Sequence, residues 1–117
     1  MKRMGLFSKV KDGLPVSGNA YDRQIITQIR AAVLDLTTST EIVIDGVADI
    51  ERDETTGEIT DNSTIDDELV ITAISVWCNM RIGNPPNYDN LLKAYESLKG
   101  QMRMSSHYNG GADGCGS

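Results

Sequence analysis

The chain is short of the residues that most chemistry requires. It has one histidine, His107, and two cysteines, Cys78 and Cys115. A zinc centre needs about four closely spaced Cys, His or carboxylate ligands, and His107 and Cys115 stand eight positions apart with no second pair nearby. A catalytic histidine needs a nucleophile and an orienting carboxylate held rigidly around it. Ser105 and Ser106 are close in sequence, but they open a Gly-, Ser- and Asn-rich run to Ser117 that preorganises nothing. Gly110, Gly111 and Gly114 lie in the same run with no helix after them, so they cannot build a phosphate cradle. Cys78 sits in an apolar stretch and Cys115 in the terminal run. They read as free thiols of a reducing compartment.

Long hydrophobic runs are also missing. The longest, Leu69 to Ile82, is broken by Thr72, Ser75, Asn79 and Arg81 and is too short to span a bilayer. No secretory signal is recognisable, so a soluble, cytoplasmic chain is expected. Aromatics are only 5% of the chain, which predicts an aliphatic core. Trp77, Tyr88 and Tyr95 fall on apolar helix faces without basic neighbours, which favours core packing over a base-stacking platform.

The net charge is −6, and its distribution is uneven. Lys2, Arg3, Lys9 and Lys11 are basic with no acid among residues 1–11, whereas residues 49–68 hold nine acids against Arg52 alone. An acidic centre does not clamp DNA phosphates. It suits a solvated face, or a wall past which DNA slides. Calcium is excluded as an EF-hand: placing Gly57 at the sixth loop position puts Arg52 first, where an Asp is needed.

At 117 residues the chain is one domain. The expected divisions are an N-terminal segment at 1–18, a helical domain at 19–104 and a flexible tail at 105–117. Met4, Leu6, Phe7, Val10 and Leu14 are spaced for a short helix ending at Gly13, frayed and covering one edge of the core. Ser17, Asn19 and Asp22 offer cap chemistry for a helix from Tyr21 to about Thr38, with a stripe of Ile25, Ile29, Ala32, Val33 and Leu36 and with Gln28, Arg30 and Asp35 on wet faces. Thr37 to Thr40 should end it.

A β insertion follows at about 41–61. Ile42 to Ile44 and Val47 to Ile50 flank Asp45-Gly46, a two-residue hairpin signal. A second tight turn is expected at Asp53 to Glu58, with Gly57 at positive φ, and Ile59-Thr60 returning. Thr64 to Asp67 resembles a capping box for a helix running from about Asp66 to Arg81. That helix is apolar almost all round, more than two other long helices can be expected to cover, which predicts an oligomer. Gly83 and Pro85-Pro86 then stop the chain and turn it. Asn87 caps a last helix with a stripe of Tyr88, Leu91, Leu92, Tyr95, Leu98 and Met102, leaving Lys93, Glu96, Lys99 and Gln101 facing water. The expected fold is therefore mostly α: three main helices, a short N-terminal one and a small β-hairpin between the first long helix and the central one.

Residues 20–108 carry a resemblance. Ile25-Ile26, Ile29, Ala31-Ala32 and Asp35-Leu36, then Ala73-Ile74, then Asn79 to Gly83, then Tyr88, then Lys93 to Met102 together resemble the head–tail connector proteins of long-tailed bacteriophages, also called adaptor or head-completion proteins. The acidic β element is longer than in the leanest members. The resemblance implies a non-enzymatic virion protein without cofactor or metal. It would form a homo-oligomeric ring, a dodecamer, in the neck between capsid and tail after assembly in the host cytoplasm. Its partners would be the portal protein, stopper or tail-completion proteins, and genomic DNA passing through without sequence-specific binding; no membrane is involved. Trp77, Met80, Arg103, Met104, His107 and Tyr108 would then lie at subunit or portal interfaces. Asp53, Glu54 and Glu58 would lie at the lumen or rim. Two other readings are a small acidic regulatory or protein-binding module, and an enzyme subunit whose site forms only at an interface.

Overall fold

The computed structural model describes residues 5–16, 18–39, 43–82 and 85–104. Four helices and one hairpin follow in the order α1 (Leu6–Asp12), α2 (Asp22–Ser39), β1 (Ile50–Arg52), β2 (Ile59–Asp61), α3 (Glu68–Arg81) and α4 (Tyr88–Met104). The class is the expected one: mostly helical, with a two-stranded antiparallel hairpin between α2 and α3.

The helices form where apolar spacing and capping agree. On α2, Ile25, Ile26, Ile29, Ala32 and Leu36 are buried at intervals of three and four, the period of one helix face. α3 begins where the Asp67 carboxylate accepts the backbone N–H groups of Leu69 and Val70, at 2.9 and 3.3 Å. That satisfies two of the donors every helix start leaves open. The cap is thus Asp67. Thr64 is used elsewhere: its hydroxyl accepts from Val47 N–H at 2.9 Å, and its own N–H donates to the Val47 carbonyl.

The hairpin lies at the second of the two candidate turns. Ile50 pairs with Asp61, Glu51 with Thr60 and Arg52 with Ile59. Asp53 closes the turn by donating its N–H to the Glu58 carbonyl and accepting from Gly57 N–H, and Gly57 adopts φ 78°, as expected. Asp45-Gly46 forms only a bend. Its glycine has φ 112°, but a Cβ there would stand 2.9 Å from the Thr64 and Ile65 backbone. The positive φ therefore serves a close approach of two chain segments rather than a hairpin. Gly83 and Ile42 lie outside the described residues.

A single core joins all four helices and the hairpin. α1 is part of that core, not a cover over its edge: Leu6, Phe7, Val10 and Leu14 are all buried. This changes the outlook for α3, which packs against α1, α2 and α4 together. Val70, Ile71, Ala73, Ile74, Cys78 and Met80 are buried, and Leu69, Val76 and Trp77 pack partly buried against them. Only Glu68, Thr72 and Arg81 are exposed on this helix. The chain covers its own central helix, so α3 presents no unsatisfied apolar face, and the premise for an oligomer drawn from it is corrected. The short α1 supplies the missing side.

Candidate functional site

Among the described residues, two polar assemblies and a few exposed apolar side chains stand out as candidates for function. The first assembly is the hairpin. Asp53 Oδ1 accepts the backbone N–H groups of Thr55 and Thr56, at 2.7 and 3.1 Å. The Thr56 and then the Thr55 N–H hold the Asp53 carboxyl below its ordinary value, because hydrogen bonds to the charged form favour it. Glu54 is engaged by Arg23 of α2 and by Arg52, the latter at 3.2 Å. Arg30 of α2 donates to the Ile50 carbonyl at 2.5 Å, and Ile50 itself is buried. Asp53, Glu54 and Glu58 all stay exposed at the tip. At the hairpin's other end Asp61 reaches α1. Its Oδ2 accepts Phe7 N–H at 2.8 Å, while its Oδ1 accepts Ser63 N–H and the Ser63 hydroxyl. Gly5 has no side chain to cap α1, so an aspartate from β2 does it. Gly5, Leu6, Lys9, Asp61, Ser63, Thr64, Ile65 and Asp66 line a cleft of about 300 Å³ there.

The second assembly lies where α2, α3 and α4 meet. The Tyr95 hydroxyl donates to Asp35 Oδ2 at 2.6 Å. Lys99 Nζ stands 3.5 Å from the same oxygen and 3.4 Å from Glu96 Oε2. Trp77 donates its indole N–H to Gln28 Oε1 at 3.0 Å. Its ring lies 5.3 Å from that of Tyr95, and the Arg81 guanidinium lies over it at 4.2 Å. Burial, and then the hydrogen bond to Asp35, push the Tyr95 phenol well above its ordinary value. Burial alone pushes the Cys78 thiol up to about 12. Both groups stay protonated at neutral pH, which leaves Cys78 without a nucleophilic thiolate.

Trp77 is therefore a link between helices, and Met80, 4% exposed, has no surface to offer a neighbouring subunit. Lys99 was expected in water and is 8% exposed. Arg103 and Met104 are exposed at the end of α4. His107 and Tyr108 lie outside the described residues. Among the described residues the large exposed apolar side chains are Leu34, Val43 and Val47, on α2 and the segment after it, and Tyr88, Leu92 and Met104 on α4. None belongs to α3.

The bonds that tie Asp35 to Tyr95 and Lys99, and Asp61 to Phe7, have no sequence signature, since they span 54 to 64 positions. The one local hint was Lys99, on the flank of the α4 stripe. Among the described residues no group of His, Cys, Asp and Glu is placed to hold a metal ion, and no helix is long and apolar enough to cross a membrane. Comparison with protein-family models, with curated proteins and with solved structures gives no match.

Proposed function

We propose that this chain is a structural, non-enzymatic subunit of a head–tail connector ring in a long-tailed bacteriophage. The ring, a dodecamer, would seat under the portal and carry the DNA channel to the stopper or tail-completion proteins. Support comes from the sequence resemblance and from the succession of helix, hairpin, helix, proline corner and helix in the fold. The observation that carries the reading is that, among the described residues, the large exposed apolar side chains fall in two stretches of the chain: Leu34, Val43 and Val47 on and after α2, and Tyr88, Leu92 and Met104 on α4. Tyr88 and Leu92 are four apart on α4 and share a face. A closed ring uses heterologous contacts, in which each subunit meets its two neighbours through two unlike surfaces. These sets replace Trp77 and Met80 as the subunit contacts. Met104, 88% exposed at the end of α4, and its neighbour Arg103 would make the portal contact.

At the hairpin tip Glu54 is occupied by its arginines, which leaves Asp53 and Glu58 as the acids that present charge to a lumen or rim. Like charge there keeps DNA from adhering as it passes.

The test is removal of the gene from the phage genome that encodes it, followed by electron microscopy of the lysate. Filled heads without tails, losing DNA on standing, are expected. Complete tailed particles would refute the connector role. They would turn attention to the acidic, exposed hairpin as the contact of a small protein-binding module.

A further inference from the structure

Two pairs of exposed apolar side chains lie at opposite ends of the helical bundle. α3 and α4 are joined by a short corner and pack side by side, with Trp77 against Tyr95, so they run antiparallel. α2 also runs against α3. Gln28 meets Trp77 near the end of α3. Asp35, two turns on, meets Tyr95 and also Lys99, which lies a turn further toward the start of α3. α1 agrees with this: Leu6 N–H reaches Ser63 just ahead of α3, while Lys11 pairs with Asp22 at the start of α2. One end of the bundle therefore holds the last turns of α2 and the start of α3. The other holds the start of α2, the end of α3 and the start of α4.

Arg23, Arg30 and Leu34 fall within about 40° of one another around α2. Arg23 meets Glu54 and Arg30 meets the Ile50 carbonyl, so the hairpin lies along this ridge with its base toward the end of α2. Leu34, a turn past Arg30, stands level with the residues before Ile50, where Val47 is. The Val47 and Asp49 carbonyls take the Thr64 and Asn62 N–H groups, which continues the strand register and puts Val47 and Asp49 on one face. Leu34 is 62% and Val47 57% exposed, and the acids around them, Asp45 and Asp49, are exposed as well. At the far end, Tyr88 and Leu92 lie within about 40° on α4. Exposed Lys93 adjoins Leu92, exposed Asp89 adjoins Tyr88, and exposed Arg81 covers the Trp77 ring at the end of α3.

Two copies meeting through their Leu34–Val47 ends would set Asp45 and Asp49 against the same acids of the other copy, which is repulsive. The Tyr88–Leu92 end brings cations to those acids instead. We infer that Tyr88 and Leu92 of one copy dock on Leu34 and Val47 of the next, with Lys93 and Arg81 toward Asp45 and Asp49, so that copies join head to tail. This deepens the ring reading by naming the two surfaces that meet, and it rests on that reading for closure, since a head-to-tail contact makes a ring only when its rotation closes.

The test uses the full chain and two variants, each blocking one end: Leu92→Asp and Leu34→Asp. Both leucines are exposed, so both variants should fold. If either lowers the thermal midpoint by more than about 5 °C, Tyr88→Asp or Val47→Asp takes its place. Light scattering gives the mass at concentrations up to about 1 mM, enough for a weak contact. The wild type should grow beyond a dimer. Each variant alone should associate at least about tenfold more weakly, because every head-to-tail contact needs both ends. Mixed in equal amounts, the variants should form a heterodimer and nothing larger, since each keeps the end that the other lacks. A wild type that stays monomeric would overturn the inference. So would a variant that associates like the wild type, or a mixture that stays monomeric. The measurement needs no phage, so its failure is separate from the appearance of complete tailed particles after gene removal.

Discussion

Asp61 offers the sharpest test of how the hairpin and the first helix depend on each other. Asp61→Ala removes the acceptor for Phe7 N–H at 2.8 Å and for Ser63 N–H at 3.0 Å, together with the Ser63 hydroxyl contact. The Phe7 N–H is only part-buried, beside the cleft that Gly5, Leu6 and Asp61 line, so losing its acceptor costs about 0.5–1.5 kcal/mol. That figure already contains the capping contribution of about 1 kcal/mol and is not added to it. Releasing Ser63, whose hydroxyl also accepts weakly from Leu6 N–H, adds about 0.5–1 kcal/mol. The expected total is about 1–2.5 kcal/mol. With unfolding entropy near 2.1 cal/mol/K per residue, this lowers the midpoint by roughly 4–10 °C. Asp61→Asn keeps one of the two accepting oxygens and turns its NH2 toward either Phe7 N–H or Ser63 N–H, so it should recover only part of the loss. Gly5→Ala attacks the same bond from the other side, because its Cβ would overlap the Asp61 carboxylate. The two substitutions should therefore be strongly non-additive. Calorimetry gives the midpoints, and hydrogen exchange at the Phe7 amide gives the local effect. A shift below about 2 °C for Asp61→Ala, or a Phe7 amide as protected as in the wild type, would show that α1 is sealed without the hairpin.

Gly46→Ala should cost about 1–3 kcal/mol, read from urea midpoints, because φ 112° and the 2.9 Å approach to the Thr64 backbone both oppose a side chain. Tyr95 makes the fold sensitive to alkali. Its folded-state pKa is raised, so its contribution is fully present below the unfolded tyrosine value of about 10 and declines as pH climbs above it. Tyr95→Phe should flatten that decline in denaturation curves taken between about pH 9 and 11. Cys78, buried with its thiol pushed up to about 12, should resist iodoacetamide at pH 8 in the native protein and react only in denaturant, as assigned by peptide mass spectrometry. Alkylation of the folded chain at Cys78 would contradict its placement in the core.

Much of this architecture is legible from periodicity. The stripe of Ile25, Ile29, Ala32 and Leu36 marks α2 to within a residue at each end, and Tyr88 opens α4 where the proline corner requires. The hairpin was harder, because two turn signals compete within fifteen residues. Asp53 to Gly57 wins by closing its own hydrogen bonds, while Gly46 is drawn to a segment some twenty positions on. The coverage of α3 is not legible in the sequence, because α1 has only seven residues and its contribution shows only in three dimensions. Of the candidate interface residues, Trp77 and Met80 looked free because an apolar helix does not announce which neighbours cover it. The Asp35 cluster was hidden by distance along the chain, and Lys99 by the ordinary expectation that a lysine at the edge of a stripe reaches water.

The bond from Asp61 to α1 also sets an order of events during synthesis. The residues of α1 leave the ribosome before the carboxylate that seals their helix, which is 54 positions behind. Loop closure over that span comes late. Until β2 emerges, Leu6, Phe7 and Val10 have neither a cap nor the α3 surface they pack on. The nascent chain thus exposes the apolar residues of α1 until β2 and α3 have emerged, which makes that segment a place where a holding chaperone can engage.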